Sequence, residues 1–227
     1  MRNLLEILKA DKRLLILVVA GIILIAGGSL YAYYNSESRV IERLVKQNPR
    51  GEEFAKVIAD SNQKLNESGL SSKERIDALL SRAVAKEALG DKRGAVEDYE
   101  EILKINAAHP IARSNLAGIF TSFGKYEDAE FQYLAIVATQ PLQPDAYIRL
   151  AELYEGYFKG KEDLIPAVLT YAMEQAGKQP IFLEKLAQYY FDRKFYVQAL
   201  NQIDELLKVD PQNELGKSLL EEIQKKS

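Results

Sequence analysis

Two patterns of hydrophobic and polar residues follow each other along the chain. From Leu14 to Tyr34, every residue except three glycines and Ser29 is hydrophobic, and no charged residue lies between Arg13 and Glu37. After Ser38, apolar residues recur every three or four positions, which is the spacing of amphipathic helices. The sequence therefore predicts one continuous apolar helix followed by a series of amphipathic helices.

The apolar segment has the length and the flanking residues of a membrane span. A helix over residues 14–34 extends about 30 Å at about 1.5 Å per residue, which matches the hydrocarbon core of a bilayer. Tyr31, Tyr33 and Tyr34 at its end suit the headgroup region. We expect a single transmembrane helix in the lipid bilayer at residues 14–34, preceded by a short basic tail at residues 1–13.

Two alternatives to an uncleaved anchor remain open for this segment. Ala26, Gly27 and Gly28 are small residues that offer a processing site for a signal peptide. The apolar residues and the tyrosines continue beyond that site, which favours the anchor. A buried core helix is disfavoured, because nothing else in so small a chain can surround it.

The charges beside the segment predict its orientation. Lys12 and Arg13 directly precede the span, whereas Arg39, Arg43 and Lys46 follow it within about 15 residues. Translocation of the short basic tail is the less favourable option. We expect a cytoplasmic N-terminus and an extracytoplasmic C-terminal domain, in the periplasm or at the cell surface.

A helical stretch at residues 35–72 connects the predicted span to the rest of the chain. Its apolar spacing predicts helices at residues 38–47 and 52–66, interrupted by residues 48–51. Ser71 or Ser72 is suited to cap the following helix. We expect a juxtamembrane linker or a degenerate repeat that packs on residues 76–89.

A sequence period of 34 runs through most of the remaining chain. Ala83, Gly90, Ala95 and Tyr99 recur one period later as Ala117, Gly124, Ala129 and Tyr133. Ala151 continues the series, and the last segment repeats the order with Ala187, Tyr190, Ala199 and Pro211. The period predicts repeats at residues 76–109, 110–143, 144–179 and 180–213, of which the third is the longest.

Each repeat contains two amphipathic runs of about 13 residues. Small residues allow the two helices to approach closely, and an aromatic residue, Tyr99, Tyr133 or Tyr171, fills the adjoining space. Glycine after the first helix adopts a left-handed conformation at low cost, and proline suits the first turn of the next helix. The predicted packing residues are Ala83, Ala95, Tyr99, Ala117, Ala129, Tyr133, Ala151, Tyr154, Ala187, Tyr190, Ala199 and Pro211.

This order of small, aromatic and proline positions resembles the tetratricopeptide repeat (TPR) family, from residue 76 to residue 213 of the chain. The resemblance implies an all-α solenoid of helical hairpins, with four repeats within residues 73–213. Residues 214–227 carry an apolar stripe that suits the capping helix of such a solenoid. The match is specific for fold and much less so for function, because such repeats serve many unrelated partners.

The resemblance also implies a concave groove lined by the first helix of each repeat. Carried over position by position, its lining includes Asp77, Leu80, Glu87, Ile111, Ser114, Asp145, Ile148, Glu152, Glu155, Ile181, Glu184, Gln188 and Phe191. Its acidic C-terminal half predicts a basic or mixed-polarity peptide or helix as partner, with Ile148 and Phe191 as apolar anchors. The alternative for each residue is an ordinary solvated helix face.

Aromatic residues are abundant near the C-terminal repeats. Tyr154 and Tyr190 occupy packing positions, so they are expected in the core. Tyr157, Phe158, Tyr189 and Phe191 are less well explained, and they either pack within the structure or form an exposed patch.

Composition narrows the chemistry. Cysteine is absent and His109 is the only histidine, which excludes disulfides, cysteine-ligated metals and multi-histidine metal sites. The whole chain has a net charge of −3, and the residues after Tyr34 have a net charge of −5, which argues against nucleic-acid binding. No catalytic motif is present, so we expect no enzyme activity and no cofactor.

These features together favour a membrane-anchored scaffold or adaptor that binds protein partners. Its plan of a basic tail, one span and a small repeat domain is similar to translocon-associated periplasmic TPR proteins that assist secreted substrates. The alternative is a structural subunit of a membrane-embedded secretion or pilus machine.

Overall fold

The computed structural model describes residues 36–226 and Gly28. Apart from Gly28, the predicted membrane segment at residues 14–34 and the tail at residues 1–13 lie outside the described residues. Within the described part, no helix is both long and apolar enough to cross a membrane.

The described chain is all-helical. Its helices are α1 (Glu37–Gln47), α2 (Gly51–Leu65), α3 (Ser72–Leu89), α4 (Lys92–Ile105), α5 (Pro110–Ser122), α6 (Tyr126–Thr139), α7 (Pro144–Tyr157), α8 (Ile165–Ala176), α9 (Pro180–Asp192), α10 (Tyr196–Val209) and α11 (Glu214–Lys226). A short 3-10 helix, Glu162–Leu164, precedes α8. The chain divides into a first unit that ends at Asp98 and a second unit that begins at Tyr99, with the boundary inside α4.

The repeat period is visible in the backbone hydrogen bonds that close the first helices. The amide of Asp91 donates to the carbonyl of Lys86 at 2.8 Å. The same bond recurs one period later, from Lys125 to Phe120, and again in the last repeat, from Phe195 to Tyr190. Each bond satisfies a carbonyl that the helix end would leave without a partner. The interval from Lys125 to Phe195 slightly exceeds two periods, so the intervening third hairpin is the longer one.

Small residues bring the helices of the second unit together. Ala117, Ala129, Ala187 and Ala199 are fully buried. At the C-terminal end, Leu219 and Ile223 of α11 join Ala187, Ala199 and Ile203 in one apolar cluster. α11 therefore covers the apolar surface of α9 and α10, which would otherwise face water.

The first unit has a separate apolar cluster. Ile58 of α2 packs with Ala85 and Leu89 of α3, and side chains of α1 pack against them. The turn between α1 and α2 requires glycine at position 51, because a Cβ atom there would lie 2.2 Å from the carbonyl oxygen of Val45.

The helix α3 begins with a reciprocal cap. The Ser71 hydroxyl accepts a hydrogen bond from the amide of Glu74, and the Glu74 carboxylate accepts one from the amide of Ser71. Both amides would otherwise lack a partner at the helix start.

Three predicted packing positions differ in the structure. Tyr171 is 46% exposed, and Leu169 is the fully buried residue instead. Leu169 lies slightly more than one period after Tyr133, because the extra residues of the third repeat move the packing position. Tyr190 is half-buried whereas its neighbour Tyr189 is buried, and Pro211 is exposed in the turn before α11.

Candidate partner-binding surface

The first helices of the hairpins in the second unit differ in how far they expose the predicted groove residues. Ile111 and Ser114 are exposed on α5, and Asp145 and Glu155 are exposed on α7, while Gln188 of α9 is half-buried. Residues three, four or seven positions apart share one face of a helix. The exposed positions on α5 and α7 are thus accessible to a partner, and Gln188 is so only in part.

Glu152 is the centre of an ion-pair cluster on this surface. Its carboxylate lies 2.9 Å from Lys185 Nζ of α9 and 3.0 Å from Arg149 Nη1 on its own helix. Burial alone would raise the pKa of Glu152, but the hydrogen bond and charge of Lys185, together with Arg149, lower it overall. The surface across α7 and α9 is therefore of mixed polarity rather than uniformly acidic.

Other acidic groups on these helices differ in their pairing. Glu184 accepts a hydrogen bond from the side chain of Asn213, and Asp192 accepts one from Gln188 at 2.7 Å. Within residues 36–226, Asp145 and Glu155 have no ion-pair partner. These two carboxylates are the ones most available to a positively charged ligand.

The two predicted apolar anchors are largely occupied by packing. Ile148 is only 9% exposed. Phe191 packs against the apolar cluster of α9, α10 and α11, and Lys226 Nζ lies 4.5 Å from the centre of its ring. Ile111 and Ile181 are more exposed, so these two residues offer apolar surface that a partner can reach.

The predicted groove residues of the first unit lie on α3. Asp77 is exposed, whereas Leu80 and Glu87 are half-buried. Asp77 lines a cleft of about 470 Å³ between α2 and α3, which also includes Asp60 and Lys64.

A polar and aromatic cluster holds the long turn of the third repeat. The Tyr154 hydroxyl donates to the Glu130 carboxylate at 2.6 Å, and Lys161 Nζ is 2.5 Å from the other oxygen of Glu130. Burial and the hydrogen bond to Glu130 raise the pKa of Tyr154. Lys161 also lies over the ring of Phe158, and Tyr157 stacks on Tyr126. Most of the unexplained aromatic residues are thus engaged in internal contacts.

The first unit contains a buried charge network that the sequence did not reveal. Lys86 Nζ lies 2.8 Å from Glu37 and 3.2 Å from Asp98. Asp98 also accepts two hydrogen bonds from Arg82, and Arg82 donates a third to Asn62. Paired charges join α1, α3 and α4, and the hydrogen bond from Arg82 to the side-chain amide of Asn62 connects α2 to them. Across residues 36–226, no group of three or more histidine, aspartate or glutamate side chains is arranged to hold a metal ion.

Comparison with known proteins yields structural neighbours only. No protein-family model matches the chain, and no curated protein matches it. A crystal structure of MamA aligns with 72% of this chain and 92% of its own, with 13% identity and a TM-score of 0.56. MamA from Desulfovibrio magneticus RS-1 aligns with 79% of this chain and 98% of its own, with 14% identity and a TM-score of 0.55.

A tetratricopeptide repeat protein from Parabacteroides merdae ATCC 43184 aligns with 84% of this chain and 75% of its own, with 20% identity. Its TM-score of 0.48 is too low to support an argument. The likeness to MamA, at such low identity, concerns the fold alone. With the hairpin period described above, the predicted all-α, TPR-like fold is confirmed.

Proposed function

We propose that this protein is a membrane-anchored scaffold whose repeats bind protein partners at the membrane surface. Such a protein would assist exported proteins or the assembly of envelope complexes. The observation that supports this most directly is the accessible mixed-polarity surface on α7 and α9. There, Arg149, Glu152 and Lys185 form a paired cluster, and Asp145 and Glu155 lack ion-pair partners among residues 36–226. A basic or mixed-polarity peptide or helix suits this surface.

The membrane anchor is proposed from the sequence. Residues 14–34 have the length and apolarity of one span, and the basic tail before them favours a cytoplasmic N-terminus. The repeats are then extracytoplasmic, and the lipid bilayer is contacted through residues 14–34. Protease added to bacterial spheroplasts is expected to digest the repeat domain, whereas full protection would contradict this topology.

A second candidate is a structural subunit of a secretion or pilus machine. Phe131 is 63% exposed and Leu134 is 44% exposed on the same side of α6. Large apolar side chains on one helix face are commonly covered in a permanent assembly. This feature favours stable contacts with other subunits.

Crosslinking in native membranes, followed by affinity purification of the full chain, tests both functions. A scaffold that assists many proteins is expected to recover several partners in small amounts. A machine subunit is expected to recover one or two partners at fixed stoichiometry. Recovery of no protein partner would contradict both.

A further inference from the structure

A second surface with a different character lies between α1 and α2 in the first unit. Ile41 and Val45 of α1 and Ala55 and Ala59 of α2 line a groove of about 470 Å³. Each pair is four residues apart, so the four side chains form two parallel apolar rows. The alanine side chains are short, so the backbone of another helix can approach α2 closely on this side of the groove.

The rim of this groove is acidic. Glu37, Glu42 and Glu52 line it, and no lysine or arginine does. Glu37 forms an ion pair with Lys86, and Glu42 forms one with Lys46. Neither lysine lines the groove. Glu52 is exposed and has no ion-pair partner among residues 36–226. The groove therefore combines an apolar floor with an acidic rim on which Glu52 is the carboxylate that lacks an ion-pair partner among residues 36–226.

We propose that the groove between α1 and α2 binds a basic amphipathic helix of a partner protein. Apolar side chains of that helix would cover the two rows, and its lysine or arginine residues would face the glutamates. On α2 the lining extends from Glu52 to Asn62. That length corresponds to about 15 Å, or about three helical turns.

A second copy of this chain is a poorer occupant. In a two-fold symmetric contact, the same patch of both copies meets, which would bring the rim glutamates of one copy towards those of the other. Like charges at an interface oppose binding. The inference is also independent of the surface on α7 and α9, because it rests on different residues.

The test uses the full chain in a non-ionic detergent and a labelled helical peptide of about 14 residues, with leucine on one face and lysine on the other. Binding is followed by fluorescence anisotropy, with empty micelles as the blank. We expect saturable binding that weakens as salt is raised, because salt screens charge attraction. A peptide with glutamate in place of lysine is expected not to bind.

Two adjacent charge reversals separate the groove from general acidity. Glu52→Lys and Glu53→Lys both change an acidic residue in the first turn of α2, but only Glu52 lines the groove. We expect Glu52→Lys to weaken peptide binding at least about fivefold more than Glu53→Lys. Equal effects, or no binding to the wild-type chain, would overturn the proposal.

Filling the groove provides an independent test. Ala59→Phe places a ring in the lining and is expected to weaken binding more than about tenfold, because it removes the space for the helix. Ala88→Phe, at an exposed position of α3 outside the groove, is the matched control. Sedimentation of the wild-type chain identifies the occupant, since a dimer abolished by Ala59→Phe would show that a second copy fills the groove. That result would also overturn the proposal.

Discussion

The ammonium nitrogen of Lys86 lies 3.2 Å from a carboxylate oxygen of Asp98, and both side chains are almost completely buried. Asp98 also accepts two hydrogen bonds from Arg82, and Lys86 reaches Glu37. Two positive and two negative groups therefore balance one another. A buried charge is tolerated when it is paired, and it becomes strongly destabilising once its partner is removed.

Asp98→Ala is expected to reduce the free energy of unfolding by about 3–5 kcal/mol, because it leaves Lys86 and Arg82 without their shared buried carboxylate. Glu101→Ala, on the same helix, removes only an exposed pair with Lys104 and is expected to have a much smaller effect. Urea denaturation of the full chain, followed by circular dichroism, measures both changes. Equal losses in the free energy of unfolding for the two variants would show that the buried pair contributes no more to stability than the exposed one.

The same network predicts a pH dependence. The hydrogen bond from Lys86 lowers the pKa of Glu37, and it outweighs the opposing effect of burial. A carboxylate with a lowered folded-state pKa stabilises the fold above its usual value of 4.5. This stabilisation is lost as the pH falls through the lowered pKa. The wild-type chain should therefore exceed Glu37→Gln in stability near neutral pH, and the difference should shrink in acid.

Urea midpoints across the acidic range measure this difference. Glu97→Gln is a suitable control, because Glu97 is exposed and has no ion-pair partner among residues 36–226. A constant difference between wild-type and Glu37→Gln at every pH would contradict the assigned role of Glu37.

Sequence periodicity predicted the hairpins because close helix packing selects small residues at fixed intervals. Ala117, Ala129 and Ala199 are fully buried for that reason. Periodicity shows that the third repeat is the longer one, but it does not show which residue then fills the packing position of its second helix. The period therefore predicts Tyr171 at the packing position that Leu169 occupies, because the length of the turn alone does not fix which residue of α8 faces the core.

The charge pairs show a different limit. Lys185 follows Glu152 by 33 positions, close to one repeat, so this contact between neighbouring first helices could have been inferred from the period. Lys86 contacts Glu37, which precedes the repeats altogether, and the period gives no indication of that pair. The surface of α7 and α9 is of mixed polarity, not acidic as predicted, because Lys185 pairs with Glu152, and the period carries no signal for the buried network.

Lys194 offers a test of backbone conformation at the repeat turns. It has a positive φ of 61°, and Gly124, at the equivalent turn of the second repeat, has a φ of 72°. A residue with a Cβ atom is strained in this region, whereas glycine is not. Lys194→Gly should raise the free energy of unfolding by about 1 kcal/mol, and Gly124→Lys should lower it by a similar amount. Urea denaturation measures both, and a loss of stability in Lys194→Gly would contradict this interpretation.

Charge changes on the surface of α7 and α9 should alter partner binding in opposite directions. Asp145→Lys combined with Glu155→Lys reverses two carboxylates that have no ion-pair partner among residues 36–226, so we expect a basic partner to bind about tenfold more weakly or worse, without unfolding. Lys185→Met removes a cation that neutralises Glu152 and should strengthen binding of the same partner. The measurement is the amount of each crosslinked partner recovered per chain, with unfolding midpoints as the control for folding. A general loss of structure would lower recovery in both variants, whereas opposite changes require that the charge of this surface itself attracts the partner.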